Sequence, residues 1–228
     1  MRYICTTFII VAALAIAPYV NAGMTFYGTR ASFNTAAPGL PIEDFEEARI
    51  APGLGQDMDG NLDKNTNNAL FLPGEILDGL RLRENPPEAS LGLSILGAGI
   101  ASQPSKDVFA DYPVDTLDLI FYNNDVTAVG SDLHSAYVAD LFNISIFGMG
   151  GPLGTTTSSA TPGGVFWGVT STDIITRINF SSTTNKSNEG VDNVAFGTPG
   201  GAVPEPATML LLGSGLLGLW GARKKFRK

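Results

Sequence analysis

Cysteine is nearly missing from this chain of 228 residues. Cys5 stands alone, so no intrachain disulfide and no cysteine pair for a metal can form. It lies within an N-terminal apolar run, before that run is complete, which is too early for a lipoprotein acylation site. Histidine is equally scarce. With His134 the only imidazole, a multi-histidine metal centre is excluded, and Ser131-Asp132-Leu133-His134-Ser135 comes with no Gly-x-Ser-x-Gly elbow. His134 reads as a surface turn residue. Charged side chains make up only 16% of the chain, and their signs are segregated. Residues 23–206 carry eight basic and 22 acidic groups, a net charge near -14, because six of the bases lie in the terminal segments. Such a surface repels phosphate backbones, which excludes nucleic acid as a partner and favours divalent cations. The glycines from Gly148 to Gly154 lack the lysine and following Ser/Thr of a phosphate loop and read as a hairpin turn.

What the chain has is turn residues and short apolar runs. Its 27 glycines and 14 prolines suit many strands joined by tight turns, and its length allows one domain of about 180 residues with its own core. Strands are expected at Thr25–Tyr27 and near Pro41–Glu46, with one or two helical turns between them. Further strands are expected at Ile76–Leu82, Ser90–Leu96, Leu117–Tyr122, Val126–Val129, Leu141–Phe147, Val165–Val169, Ile174–Phe180 and Val191–Phe196. Asn143-Ile144-Ser145-Ile146 and Thr176-Arg177-Ile178-Asn179-Phe180 alternate polar with apolar, each presenting one face to a core. Eight to ten short antiparallel strands without a fixed repeat predict an all-β fold, an antiparallel β-sandwich of jelly-roll type over residues 23–197.

The two ends follow a different plan. Residues 1–22 have a basic start at Arg2, an apolar stretch from Tyr3 to Ala17, a break at Pro18 and small residues Val20 and Ala22 before Gly23. This is the pattern of a signal helix cut by signal peptidase. After a Gly/Pro linker at 198–202 come Val203, Pro204, Glu205 and Pro206, whose prolines hold the backbone extended around one carboxylate. Ala207–Ala222 is uncharged; as a helix it measures about 24 Å, short for ~30 Å of hydrocarbon. Arg223, Lys224 and Lys225 then act as a cytoplasmic stop. The expected whole is a sandwich flanked by a signal helix and a C-terminal transmembrane helix.

This ordered set, Pro204-Glu205-Pro206, apolar segment and basic cluster, resembles the PEP-CTERM sorting signal over residues 203–228. The resemblance implies that the chain crosses the inner membrane, is held there transiently facing the periplasm, and is cleaved near the motif by an exosortase. The passenger would then reach the cell surface or the medium, in a setting associated with exopolysaccharide and biofilm. The opening Thr25-Phe26-Tyr27-Gly28 is similar to that of many PEP-CTERM passengers.

Within the passenger, Asp57, Asp59, Asn61 and Asp63 place oxygen ligands at alternate positions, as a loop around structural Ca²⁺ would. The glycine and closing glutamate of an EF-hand are out of place, so a solvated acidic turn is the competing reading. Gly190-Val191-Asp192-Asn193-Val194 looks similar to the final strand of jelly-roll carbohydrate-binding modules. That likeness implies Ca²⁺ held by Asp192 with Glu46, or with Glu47; hydrogen bonding of Asp192 to turn amides is the alternative. Trp167 would stack on a sugar if it faces outward and joins the core if Phe166 does instead. Two functions follow: a non-enzymatic structural or glycan-associated protein of the extracellular polysaccharide matrix, or a secreted hydrolase using two of Asp107, Asp111, Asp115 and Asp118.

Overall fold

Leu80-Arg81-Leu82-Arg83-Glu84-Asn85 buries every second side chain and leaves the others half-exposed, as a strand with one face on a core must. The same period recurs along the chain and builds two sheets. The computed structural model describes residues 23–85 and 92–200. The signal segment 1–22 and the sorting segment, with Val203, Pro204, Glu205, Pro206, Arg223, Lys224 and Lys225, lie outside the described residues. Among the described residues no helix is long and apolar enough to cross a membrane.

In chain order the strands are β1 (Met24–Tyr27), β2 (Ile42–Glu43), β3 (Gly55–Met58), β4 (Leu62–Asp63), β5 (Leu80–Asn85), β6 (Leu93–Leu96) and β7 (Asp107–Ala110). They continue with β8 (Thr116–Phe121), β9 (Ala128–Ser135), β10 (Asp140–Gly148), β11 (Gly151–Ala160), β12 (Val165–Ser171), β13 (Ile175–Ser182) and β14 (Glu189–Gly197). One sheet runs β1, β12, β9, β14, β7, β6, β3, with β2 also on β14; the other runs β11, β10, β13, β8, β5, β4. All strand pairs are antiparallel, and from β7 onward the chain crosses between the sheets at nearly every connection, giving a β-sandwich of jelly-roll type.

Between the sheets lie Leu80, Leu82, Leu117, Leu119, Phe142, Ile144, Ile178 and Phe180 from the six-stranded side and Val108, Leu133, Trp167 and Val191 from the eight-stranded side. Helix α1 (Arg30–Ala36), capped by Thr29 Oγ1 accepting from Ser32 N–H, packs on the outside of the eight-stranded sheet. Its Phe33 ring rests on Gly130 and Gly168, where an added Cβ would come within 2.8 Å of the ring. Only bare backbone allows that approach. Among the described residues no such helix lies over the outer face of the six-stranded sheet.

The strands expected near residues 117, 141, 165, 174 and 191 are present, each shifted or extended by a few residues. Additional strands are β7, β3 and β4 on either side of the acidic loop, and the ten-residue β11. His134 is not a surface turn residue. It stands inside β9 at 3% exposure, because the Thr161–Gly164 turn folds across it and Gly164 sits against its ring.

Candidate functional site

The open face of the six-stranded sheet is set by register. Asn179 on β13 lies opposite Ser145 on β10 and opposite Asp118 on β8; Asp118 in turn lies opposite Arg83 on β5, and Ser145 opposite Thr155 on β11. Thr155, Ser145, Asn179, Asp118 and Arg83 thus form one row across five strands, about 19 Å at ~4.8 Å per strand. Asp118 is the hub. Its carboxylate accepts from Arg83 Nη2 at 2.8 Å, Arg177 Nη1 at 3.3 Å and Asn179 Nδ2 at 2.8 Å, and it is wholly covered by these partners. Asn179 Nδ2 also donates to Thr116 Oγ1 at 2.7 Å. Arg177 lies over the Phe147 ring, 3.8 Å from its centroid. Two guanidinium groups and an amide are therefore fixed in place before any ligand arrives, with Asn143 and Thr157 exposed in the next row.

The eight-stranded sheet carries a second polar group on its outer side. Asp132 and Asp192 pair directly, and the Gly190–Phe109 and Val191–Val108 register places Asp107 on the β7 side of Asp192. Arg30 Nη2 pairs with Asp132 at 3.0 Å, with its guanidinium over Phe166. Asn193 Nδ2 donates to both Asp132 and Asp192. Asp107 is 1% exposed and neither oxygen has a hydrogen-bond partner. Burial, with the Asp192 carboxylate adding repulsion, pushes its carboxyl up to about 9. Burial also holds the His134 imidazole below its ordinary value. His134 Nδ1 stands 3.8 Å from Asp107 Oδ2, too far for a hydrogen bond, so a neutral acid faces a neutral imidazole at pH 7. A cavity of about 140 Å³ opens here between Ser105, Asp132, His134, Gly164 and Asp192.

The residues singled out from the sequence are placed as follows. Trp167 is 4% exposed in the core, edge-on to Phe180, and Phe166 is the one turned outward, so Trp167 cannot stack on a sugar. Asp57 and Asp63 are drawn apart because β3 belongs to one sheet and β4 to the other. Asp57 accepts from Ser94 Oγ, Asp63 holds Arg81, and Asp59 and Asn61 are exposed. Glu46 and Asp192 are close enough for the Glu46 charge to act on Asp192, yet both are occupied. Glu46 accepts from Lys106 N–H and faces its ammonium at 3.5 Å, while Asp192 accepts from Ser105 Oγ, Asn193 N–H and Asn193 Nδ2. Both side chains are thus engaged by neighbouring donors.

Among the described residues the one carboxylate triplet with oxygens within 4.8 Å of one another is Glu43, Asp44 and Glu47, and Glu43 is already bound by the Phe45 and Leu77 amides. The four aspartates weighed as a hydrolytic pair are scattered: Asp118 under its guanidinium groups, Asp107 beneath the eight-stranded sheet's outer surface, and Asp111 and Asp115 in the connection from β7 to β8. The Asp118 hub escaped sequence reasoning because three strands distant in sequence supply it; the alternation at Arg177 and Asn179 was its one visible trace.

Residues 202–228 match the family described as PEP-CTERM protein-sorting motif. The chain carries that motif, which implies export and processing by an exosortase. No curated protein matches the chain. Among solved structures it is similar to the N-terminal CBM22-1–CBM22-2 tandem domain of Xyn10C from Paenibacillus barcinonensis, at 12% identity and a TM-score of 0.35 over 75% of this chain and 48% of that one. The chain thus spans about half the length of that tandem. It is also similar to the CBM22-1 xylan-binding domain of the same protein, at 13% identity and a TM-score of 0.31 over 73% of this chain and 99% of that one. A third similar structure is the family 11 carbohydrate-binding module of the cellulosomal cellulase Lic26A-Cel5E from Clostridium thermocellum, at 9% identity and a TM-score of 0.27 over 70% of this chain and 96% of that one.

Proposed function

We propose that this is a non-catalytic passenger which exosortase processing delivers to the cell surface or medium, where it associates with extracellular polysaccharide of the biofilm matrix through the open face of its six-stranded sheet. The observation that carries this reading is the Asp118 hub. A polysaccharide presents neutral hydroxyl groups that need donors and acceptors already in position, since ordering side chains on binding costs free energy. Asp118 holds Arg83, Arg177 and Asn179 on one face of the sheet before binding, and Ser145, Thr155, Asn143 and Thr157 extend the surface with uncharged hydroxyl and amide groups. Stacking is a minor element here, because the Phe147 ring is covered by Arg177.

The test is affinity electrophoresis of the folded protein in gels containing the exopolysaccharide of the producing cells. The double variant Arg83→Ala, Asn179→Ala should lose roughly fivefold or more of the retardation, equivalent to at least one hydrogen bond, when run well below its own melting temperature, which falls because Asp118 loses two of its three partners. Equal retardation of the two proteins rejects the reading.

A further inference from the structure

Of the four sheet edges among the described residues, three are short. β1 has four residues, β3 four and β4 two, whereas β11, at one edge of the six-stranded sheet, has ten. Long edges of natural sheets are normally blunted by lysine, inward charge, proline or a bulge, because their free N–H and C=O groups accept a further strand. β11 has no charged side chain, and its two blunting devices both lie at its first end: Pro152, and the register shift opposite Ile146 and Phe147. From Gly154 to Ala160 it pairs regularly with β10, and its other side has no strand neighbour among the described residues.

Charge and sequence together identify the strand that fits this edge. Residues 23–206 carry a net charge near -14, so two copies of the domain repel one another over most approaches, and β11 offers them an uncharged one. Its regular stretch is also self-complementary. Thr155-Thr156-Thr157-Ser158-Ser159, laid antiparallel on itself about Thr157, sets Thr157 against Thr157, Thr156 against Ser158 and Thr155 against Ser159. Such hydroxyl pairs favour strand pairing. Thr155, Thr157 and Ser159 are exposed, and Thr156 and Ser158 half-exposed, so no side chain leaves a packed position to admit the second strand.

We propose that two copies of this chain pair antiparallel through β11, about a two-fold axis near Thr157. That axis stands perpendicular to the sheet and keeps both outer faces on one side, so two six-stranded sheets become one of twelve strands. The rows from Thr155 to Arg83 of the two copies then share a polar face ten strands wide, about 43 Å at ~4.8 Å per strand. The pairing depends on the edge and not on what that face binds. Where the face holds polysaccharide, the pair grips one chain at two places.

The experiment sediments the full-length chain in detergent over a range of concentrations, and the dimer should be populated by ~100 µM. Thr157→Lys, which sets two ammonium groups against each other at the axis, should weaken it about tenfold or more. Its melting temperature as a monomer should match the parent's, because Thr157 is exposed. In a chain carrying Cys5→Ser, Thr157→Cys should cross-link two copies under mild oxidation far faster than Asn34→Cys, an exposed position on α1. A parent that stays monomeric at that concentration overturns the proposal. So does a dimer that Thr157→Lys leaves intact, which places the association elsewhere in the chain, or equal cross-linking at the two cysteines.

Discussion

Gly190 stands between two aromatic groups on the outer side of the eight-stranded sheet, opposite His134 on one flank and Phe109 on the other. A Cβ there would come within 2.3 Å of the Phe109 ring, which is itself buried and has no room to retreat. Gly190→Ala is therefore expected to destabilise the domain by about 1–3 kcal/mol through overpacking, read as a lowered urea midpoint. An unchanged midpoint would mean that the ring swings aside freely. The same strand explains why Asp192 could be noticed in the sequence while its role could not. Asn193 takes a positive φ of 52°, forming a bulge at which one edge of β14 changes partner from β7 to β2. That turn delivers Asn193 N–H and Nδ2 to Asp192, which in a regular strand they would not reach.

At the scale of elements, β7, β9 and β14 together bury Asp107. Its folded value of about 9 lies far above the ~3.9 of an unfolded chain, so the native state holds a proton that the unfolded state has lost. Stability from this group is complete below pH ~4 and falls as pH rises toward 9. His134 works in the opposite sense, but only below its unfolded value of ~6.5, where unfolding releases it to take a proton. Between pH 7 and 9 His134 no longer contributes, and stability should drop by about 2 kcal/mol from Asp107, with Glu189, which burial pushes up to about 8, adding to the fall. Denaturant midpoints at the two pH values check this, and Asp107→Asn should flatten the slope; a slope unchanged by that substitution would place the effect elsewhere.

Element by element, what could be read in advance was what buries apolar side chains on alternate positions, as β10 and β13 do. The Thr155–Ser159 run of β11 offered no such signal. It is an edge strand with β10 as its neighbour, and its hydroxyl groups are tolerated exposed on one face and half-exposed on the other. β7 was hidden differently: all four of its residues are buried, so no alternation remains. The polar row on the six-stranded sheet depended on register between β5, β8 and β13, which no single stretch of sequence contains.

For the molecule as a whole, the sorting motif and the sandwich are separable readings. If exosortase cuts the chain as the motif implies, mass spectrometry of surface and medium fractions from cells with that enzyme should find C-terminal peptides ending close to Pro204-Glu205-Pro206. Peptides running intact through Lys228 as the lasting form would contradict it. The strong acidity of residues 23–206 against the basic tail was plain from composition, whereas where on the folded domain the acidity collects was not.

β14 gives the domain a direction. It begins at the buried Glu189 carboxylate and ends eight residues later at Gly197, from which the chain leads on toward the sorting segment, so the two ends of this strand are about 27 Å apart. Severing the chain at Pro204-Glu205-Pro206 therefore removes no hydrogen-bonded residue of β14, and the released domain keeps its whole eight-stranded sheet.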